Sequence, residues 1–590
     1  NALNAELTRL DNLIGGEDTG LSKALNNFFA ALQNAAEDPT SLPQRQLVLS
    51  EAQQVINRFQ ALNEEFIQQR ESIKTQMQQG VKDANSLIQS IADLNLAISE
   101  SPGLAQGKMP LDLMDKRDEA LRQLSELVSI RVTETEGSQV NVSLANGLAL
   151  VTGSNAATLG TQRSAEDPTG LNFTLATGGR TLLIDDQING GLLGGLRRFD
   201  QEALRPAFDE LGRLAIGLSA SINHQHEIGM DLEGDLGSNF FTDVNDIGLQ
   251  RSRVVPNANN AEPRNGQLAV EITDSTQLPA GTWTLQFAGD GRNFELIDEA
   301  TGETVNRGRL PDPVQSEITM PGFTIRIEGG EFNAGDKYLI QPGRNAAENI
   351  ALNVRREEDL AFASPIRAAS GADNLGTATI NQGKMLNVRN PNTNALLPGF
   401  ETRGELTNGP LTVTFTNNGP GTITYEITDN GGQVLETGPY EPQQINVLLS
   451  DDPQAGPAYQ GFQFEMTGEP ADGDTFTIDY NTNGISDNRN VQLLAALGTA
   501  NTLNGGTQNF TEGYAGLVED IGVKTRQSQL DKDAGQTLLE QSTNQRESVS
   551  GVNLDEEAGK LIQYQAAYNA SAQVMSVAQD LFNTLLQSFR

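Results

Sequence analysis

Between Phe59 and Leu94 an apolar or small residue recurs at every seventh position: Phe59, Phe66, Ile73, Gly80, Leu87 and Leu94. A second series, Met77, Ala84, Ile91 and Ile98, follows four places behind. Gln, Glu, Lys and Asp occupy the positions between. A stripe that keeps to this period is a seam along one helix for another helix. A strand cannot use it, because a strand sorts its faces every second residue. Unbroken from about Leu47 to Ser99, the helix would run roughly 75–80 Å at about 1.5 Å per residue, the length of a rod. "PLDLMDKRDEALRQLSELVSI" (110–130), beyond a Pro-Gly break at 102–103, reads as a second helix packing back on the first.

At Arg131 the period switches to alternation. "IRVTETEGSQVNVSLANGLALVTG" (130–153) reads as strands separated by Glu136-Gly137 and Asn146-Gly147 turns. Helical pattern returns over 189–227, a β-rich stretch with many Gly, Pro and Asn runs over 267–480, and helices resume after Ser486. The expected fold class is α+β and multidomain: an elongated antiparallel helical bundle formed by both chain ends, with inserted antiparallel β-rich domains. The expected segments are 1–130 (long-helix bundle), 131–188 (β-rich), 189–260 (helical return), 261–350 (β module), 351–404 (connection, with a helix-like "EEDLAFASPI"), 405–485 (second β module) and 486–590 (closing helices).

The β-rich stretch contains a degenerate repeat. "GTWTLQFAGDGRNFELIDEATGETVNRG" (281–308) aligns with "GPLTVTFTNNGPGTITYEITDNGGQVLETG" (409–438), and "GFTIRIEGGEFNAGDKYLIQP" (322–342) with "GFQFEMTGEPADGDTFTIDYN" (461–481). Alternating apolar residues and a Gly-Asp turn before the last strand, at 335–336 and 473–474, are shared. Two copies of one small antiparallel module follow from this.

Composition removes several functions. There are 40 Lys and Arg against 77 Asp and Glu, a net charge of −37, which repels phosphate backbones and anionic lipid and excludes a nucleic-acid partner. With no cysteine there are no disulfides, thiolate nucleophiles or cysteine metal sites. No run approaches the roughly 18 apolar residues of a membrane span, so no membrane insertion is expected. "NALNAELTRL" opens the chain without an initiating Met or a signal pattern, as expected of a chain truncated at its start.

Catalytic constellations are missing: there is no Gly-x-Ser-x-Gly, Walker loop, dinucleotide fingerprint or His-Glu-x-x-His. No catalytic residue, cofactor or metal is therefore expected. His224 and His226, the two histidines, lie beside Asp231, Glu233 and Asp235. Residues two apart on a helix point away from each other, and an EF-hand loop started at Asp231 fails, with Leu236 sixth and Thr242 twelfth. A satisfied, partly exposed turn is the better reading. The single Trp283 argues mildly against carbohydrate stacking.

The chain closes on "SGVNLDEEAGKLIQYQAAYNASAQVMSVAQDLFNTLL" (550–586). Asn553 with Glu556 makes a capping box. Leu561, Tyr568, Met575 and Phe582 repeat every seven residues, Tyr564, Ala578 and Leu585 form a companion column, and Val574 and Leu581 widen the face. These nine residues are the candidate binding surface. Either an intramolecular bundle or other subunits must cover it.

This stretch, with "SDNRN" (486–490), "YAGLVEDIGVKT" (514–525), "FFAALQNAAEDP" (28–39), "LMDKRDEALRQLSELV" (113–128), "GGLLGGLRRFD" (190–200) and "NHQHEIGMDLEGDLGSNFF" (223–241), resembles the flagellar hook-associated protein 1 family. That resemblance implies a secreted structural protein of the first hook–filament junction layer, exported unfolded through the flagellar type III channel. It implies packing against hook protein and hook-associated protein 3, self-association in a ring, and a dedicated export chaperone on the C-terminal helix. In this chain alone the helix is then expected to be mobile or shielded by oligomerisation. Against the family pattern, an axial helix of Asn-Asn-Ile type is expected ahead of Asn1, and the second β copy with 351–404 reads as an insertion beyond the shorter members.

Two rivals use the same residues differently. A secreted surface adhesin would bind through the tandem β modules, with the helices as a stalk. A peptidoglycan-cutting enzyme would use a carboxylate pair hidden among the many acids.

Overall fold

The computed structural model describes residues 1–590 except 17–19, 103–107, 136–137, 312–315, 392, 418, 420–421 and 589–590. Gly103 of the expected break and the Glu136-Gly137 turn lie outside the described residues. The chain divides into two units, Asn1–Lys524 and Thr525–Arg590.

The first unit begins with α1 (Ala2–Ile14), α2 (Leu21–Glu37) and α3 (Leu42–Ser99), and α4 (Leu111–Leu127) packs back on α3. α3 has 58 residues, about 87 Å. Phe59, Phe66, Ile73, Met77, Gly80, Ala84, Ile91 and Ile98 are buried, as the pattern predicted, but Leu87 and Leu94 are replaced on the buried stripe by Ile88 and Asn95. A straight helix drifts about 20° per heptad against a strict seven-residue repeat, so the stripe slips by one residue towards its end. The seam's partner is also not helical throughout. Asn85 donates to the Leu159 carbonyl and accepts its N–H, both at 2.8 Å, and Asn95 donates to the Val140 and Gly153 carbonyls at 2.7 Å. This part of α3 thus grips the two small antiparallel sheets, of four and three strands, built from residues 130–183.

The returning helix is α5 (Gly191–Phe199), a π-helical turn (Asp200–Leu204) and α6 (Arg205–Glu227). Pro206 lacks the N–H an α-turn would use, and the wider turn before it absorbs the gap. After the short α7 (Ile247–Ser252), α8 (Ala346–Asn349) and α9 (Arg489–Ala496), α10 (Phe510–Ser550) begins in the first unit. Phe510 stacks on Phe29 with centroids 6.1 Å apart, the Tyr514 hydroxyl donates to the Ile14 carbonyl at 2.8 Å, and α9 packs on α2. The N-terminal helices and the start of α10 therefore build one helical bundle, with the β-rich parts inserted; the expected closing helices join it only as far as that start, and 525–590 form the second unit.

Each insert repeats one topology. In the first, the sheet order is Thr304–Arg309, Asn293–Asp298, Trp283–Ala288, Lys337–Ile340, Val254–Pro256; in the second it is Val434–Tyr440, Ile423–Thr428, Leu411–Asn417, Thr475–Tyr480, Ile366–Ser370. All pairs are antiparallel. The edge strands Val254–Pro256 and Ile366–Ser370 come from segments read as helical return and as connection, so both sheets reach further towards the N-terminus than turn chemistry indicated. "EEDLAFASPI" is not a helix but one 3-10 turn, Glu357–Asp359, followed by extended chain.

The match extends to single side chains. Gly335 and Gly473 have φ of 93° and 83°, a region that favours glycine, and their N–H groups bond the Phe287 and Phe415 carbonyls. The next residue is a buried aspartate: Asp336 accepts from the N–H of Ala261 and Asn333, and Asp474 from those of Leu375, Gly376 and Ala471, all at 2.8–2.9 Å. Asn260 bonds both backbone groups of Lys337, and Asn374 both of Thr475, at 2.7–2.9 Å.

The inserts differ in their cores. The first shares one continuous apolar core with the helices, whereas the second has its own, to which the helical body contributes Ile228 and Met230. Ile366 pairs with Tyr480 where the second module begins and ends. Deleting 366–480 across that pair with a short Gly linker is expected to leave cooperative unfolding of the remainder intact. Thermal or urea denaturation should show a loss of only about 2–4 kcal/mol, from uncovering Ile228 and Met230.

Candidate functional site

The second unit carries α11 (Leu554–Ser588). Its start forms the N-cap half of the expected capping box: Asn553 Oδ1 accepts the N–H of Asp555 at 3.0 Å and of Glu556 at 3.4 Å, while the Glu556 carboxylate pairs with Lys560, and Asp555, Glu556 and Glu557 lie in the first turn. Lys560 pairs with Glu557 at 2.9 Å. None of the described α11 side chains is buried. Leu561, Tyr564, Tyr568, Val574, Met575, Ala578, Leu581, Phe582 and Leu585 are all exposed, the eight larger ones from 56 % (Leu585) to 75 % (Tyr568).

At about 100° per residue the nine cover roughly 160° of the helix. Sequence reasoning missed Ile562, Val577 and Leu586, also exposed; Ile562 and Val577 widen the apolar surface past roughly 200°. The seven-residue columns hid these two because they fall outside any single seam. A helix apolar over so much of its circumference is one that several neighbours cover.

The remaining sequence candidates resolve differently. His224 and His226 both lie in the last turn of α6 rather than in a loop turn; His224 faces solvent, while His226 is fully buried, so the partly exposed reading is also corrected for His226. Its Nδ1 lies 2.6 Å from the Ser238 carbonyl and must carry the proton; Nε2 accepts the Ala361 N–H at 2.9 Å, and the ring meets Phe240 edge-on. Among the described residues no cluster of three or more His, Cys, Asp or Glu side chains could hold a metal ion. Trp283 is buried against Phe323, where no sugar could stack on it.

A cleft of about 450 Å3 lies beside the π-helical turn, lined among others by Arg70, Asp167, Asp200 and Arg205. Asp200 pairs with Arg205 at 3.0 Å and with Arg70 at 3.6 Å, and Asp167 accepts the Thr169 hydroxyl at 2.7 Å. These carboxylates are engaged within the protein rather than presented to a substrate.

A family model described as the flagellar hook-associated protein FlgK helical domain matches residues 7–241. Residues 365–480 match the flagellar hook-associated protein 1 D3 domain. The flagellar hook-associated protein 1 of Salmonella typhimurium is 27 % identical over 586 residues, covering 98 % of this chain and 83 % of that protein. The structure of the flagellar hook junction protein FlgK from Burkholderia pseudomallei superposes with a TM-score of 0.79 at 29 % identity, covering 93 % of this chain and 97 % of that one. This chain belongs to the flagellar hook-associated protein 1 family. The Escherichia coli K12 member is 24 % identical over 588 residues, again across 98 % of this chain and 83 % of its own. The end of the chain, 544–588, matches the model for the C-terminal part of flagellar basal body rod FlgEFG proteins, and all nine candidate residues fall inside it. The second β module coincides with the D3 match.

Proposed function

We propose that this member of the hook-associated protein 1 family works as a structural adaptor through α11, whose apolar surface packs against neighbouring axial subunits where hook and filament join. The observation that carries the reading is a capped, regular helix with apolar side chains over more than half of its circumference, none of them buried. Within its own unit, no described side chain of α11 is buried. Hook protein on one side, hook-associated protein 3 on the other and further copies of this chain in a ring are the partners. A dedicated export chaperone covers the same face beforehand. Absence of cysteine suits export of a reduced, unfolded chain to the extracellular flagellum.

No observation favours the adhesin. The peptidoglycan-cutting reading needs a free carboxylate pair, and Asp200 and Asp167 of the cleft are engaged by arginines and a hydroxyl.

Immunogold electron microscopy of flagellated cells, with antibody against residues 260–480, tests the placement. A single narrow band between hook and filament is expected. Gold scattered over the cell body, with the junction bare, would overturn it in favour of the adhesin.

A further inference from the structure

The two apolar cores of the first unit meet at a polar crossing. Three stretches of chain pass from one core to the other. Residues 226–230 run from the end of α6 into the second module's core, 360–366 lead into its first strand, and 480–491 return to α9. His226 sits at the centre, bonded to Ser238 and Ala361 as described above. Asn490 donates to the Ala361 carbonyl at 2.6 Å and the Gln225 carbonyl at 3.0 Å, and accepts from the Gln225 amide at 2.7 Å. Asn481 donates to the Ser364 carbonyl at 3.0 Å and to Asp487 at 2.9 Å, and Arg489 donates to the Ile366 carbonyl at 2.7 Å. Met230 and Ala363 exchange backbone bonds at 2.8 and 3.0 Å. Packing is tight enough that a methyl group on Gly237 would lie 1.9 Å from the His226 carbonyl.

Ala361 is therefore held on both sides by side chains, and its N–H depends on an unprotonated Nε2. A proton on Nε2 turns that acceptor into a donor facing another donor, on a ring that is fully buried. The charged groups facing the ring are Arg45 from α3, which disfavours the imidazolium, and Asp359 from the 357–359 turn, which favours it; Asp231 and Glu358 in turn face Arg45. Arg45 is committed elsewhere, donating to the Leu360 carbonyl at 2.6 Å and the Glu357 carbonyl at 3.1 Å.

We propose that the His226 crossing is an acid-operated hinge: protonating the imidazole loosens the second β module from the helical body while each keeps its own core. Burial above all holds the imidazole down to about 4 from 6.5. With the folded value below the unfolded one, the neutral ring's contribution is complete above about pH 6.5 and is lost as pH falls towards 4. Module and body each retain an apolar core that this proton does not touch, so the effect is local.

The test uses the full chain with His224→Gln, which leaves one imidazole to follow by NMR with labelled histidine, beside hydrogen exchange corrected for intrinsic pH dependence. Between pH 7 and 4, protection at 228–230, 236–237 and 361–363 should fall at least tenfold, with the same midpoint as the imidazole. Protection of strands 411–428 and of α3 should hold. An imidazole that titrates near 6.5 without loss at 361–363 would overturn the hinge, and so would loss of protection everywhere at once. In His226→Gln the acid response should vanish, and its persistence would equally overturn the proposal. If that variant does not fold, the titration of the single native imidazole decides.

Discussion

Replacing Leu561, Tyr568, Met575 and Phe582 together with serine is expected to abolish junction assembly without changing the stability of the folded first unit. The four form one seven-residue column on α11 and are exposed by about two-thirds or more. Their apolar surface contributes nothing to folding while it is in water and contributes only when a neighbour covers it. Covering eight such side chains is worth on the order of 12–24 kcal/mol as an upper estimate, and the substitution removes roughly half. The measurement pairs filament growth in a strain lacking the native protein with thermal denaturation of the purified variant. Lost filaments with an unchanged melting temperature confirm the reading. Normal filaments would mean that α11 is not the joining surface.

Asp474→Ala is expected to cost the second β module about 3–5 kcal/mol, and that module only. The carboxylate is 3 % exposed and accepts three backbone N–H groups, which alanine leaves buried and unpaired. Burial pushes the Asp474 carboxyl up, but the N–H groups of Leu375, Ala471 and Gly376 outweigh it and hold the group below the usual carboxylate range. Its contribution is thus present above the unfolded value of 3.8 and is lost as pH falls below it. Hydrogen exchange in strands 411–417 and 475–480 reads the loss, while Trp283, in the first module's core, reports by fluorescence that the other core is unaffected. A joint loss of both signals would show that the cores do not act independently.

Sequence reasoning reached the Gly-Asp turns because glycine's positive φ leaves a local mark. It did not reach Asn260 and Asn374, which do the same work in both modules. An asparagine that bonds a strand 77 or 101 residues away looks like any other loop asparagine. His226 was set among candidate ligands and then in an exposed turn for the same reason: Ala361 lies 135 residues on. Arg253, fully buried, donates to the Val270 and Val244 carbonyls and gives no sequence signal at all. In a chain this acidic, a buried arginine would be expected beside a carboxylate rather than carbonyls.

By itself, the sequence determined the helical ends, the inserted β modules and their duplication, and a terminal helix with more apolar surface than it can hide. Each of these is written in a period of two, 3.6 or seven residues, which the backbone imposes locally. Only the tertiary structure decided that the later part of the α3 seam grips sheets as well as a helix, that one module shares the helical core while the other keeps its own, and that a neutral histidine stands at the boundary between them. Those outcomes depend on which polar groups meet when distant segments close off water, and the cost of an unpaired buried group is set by the partner, not by the residue's own neighbours in the chain.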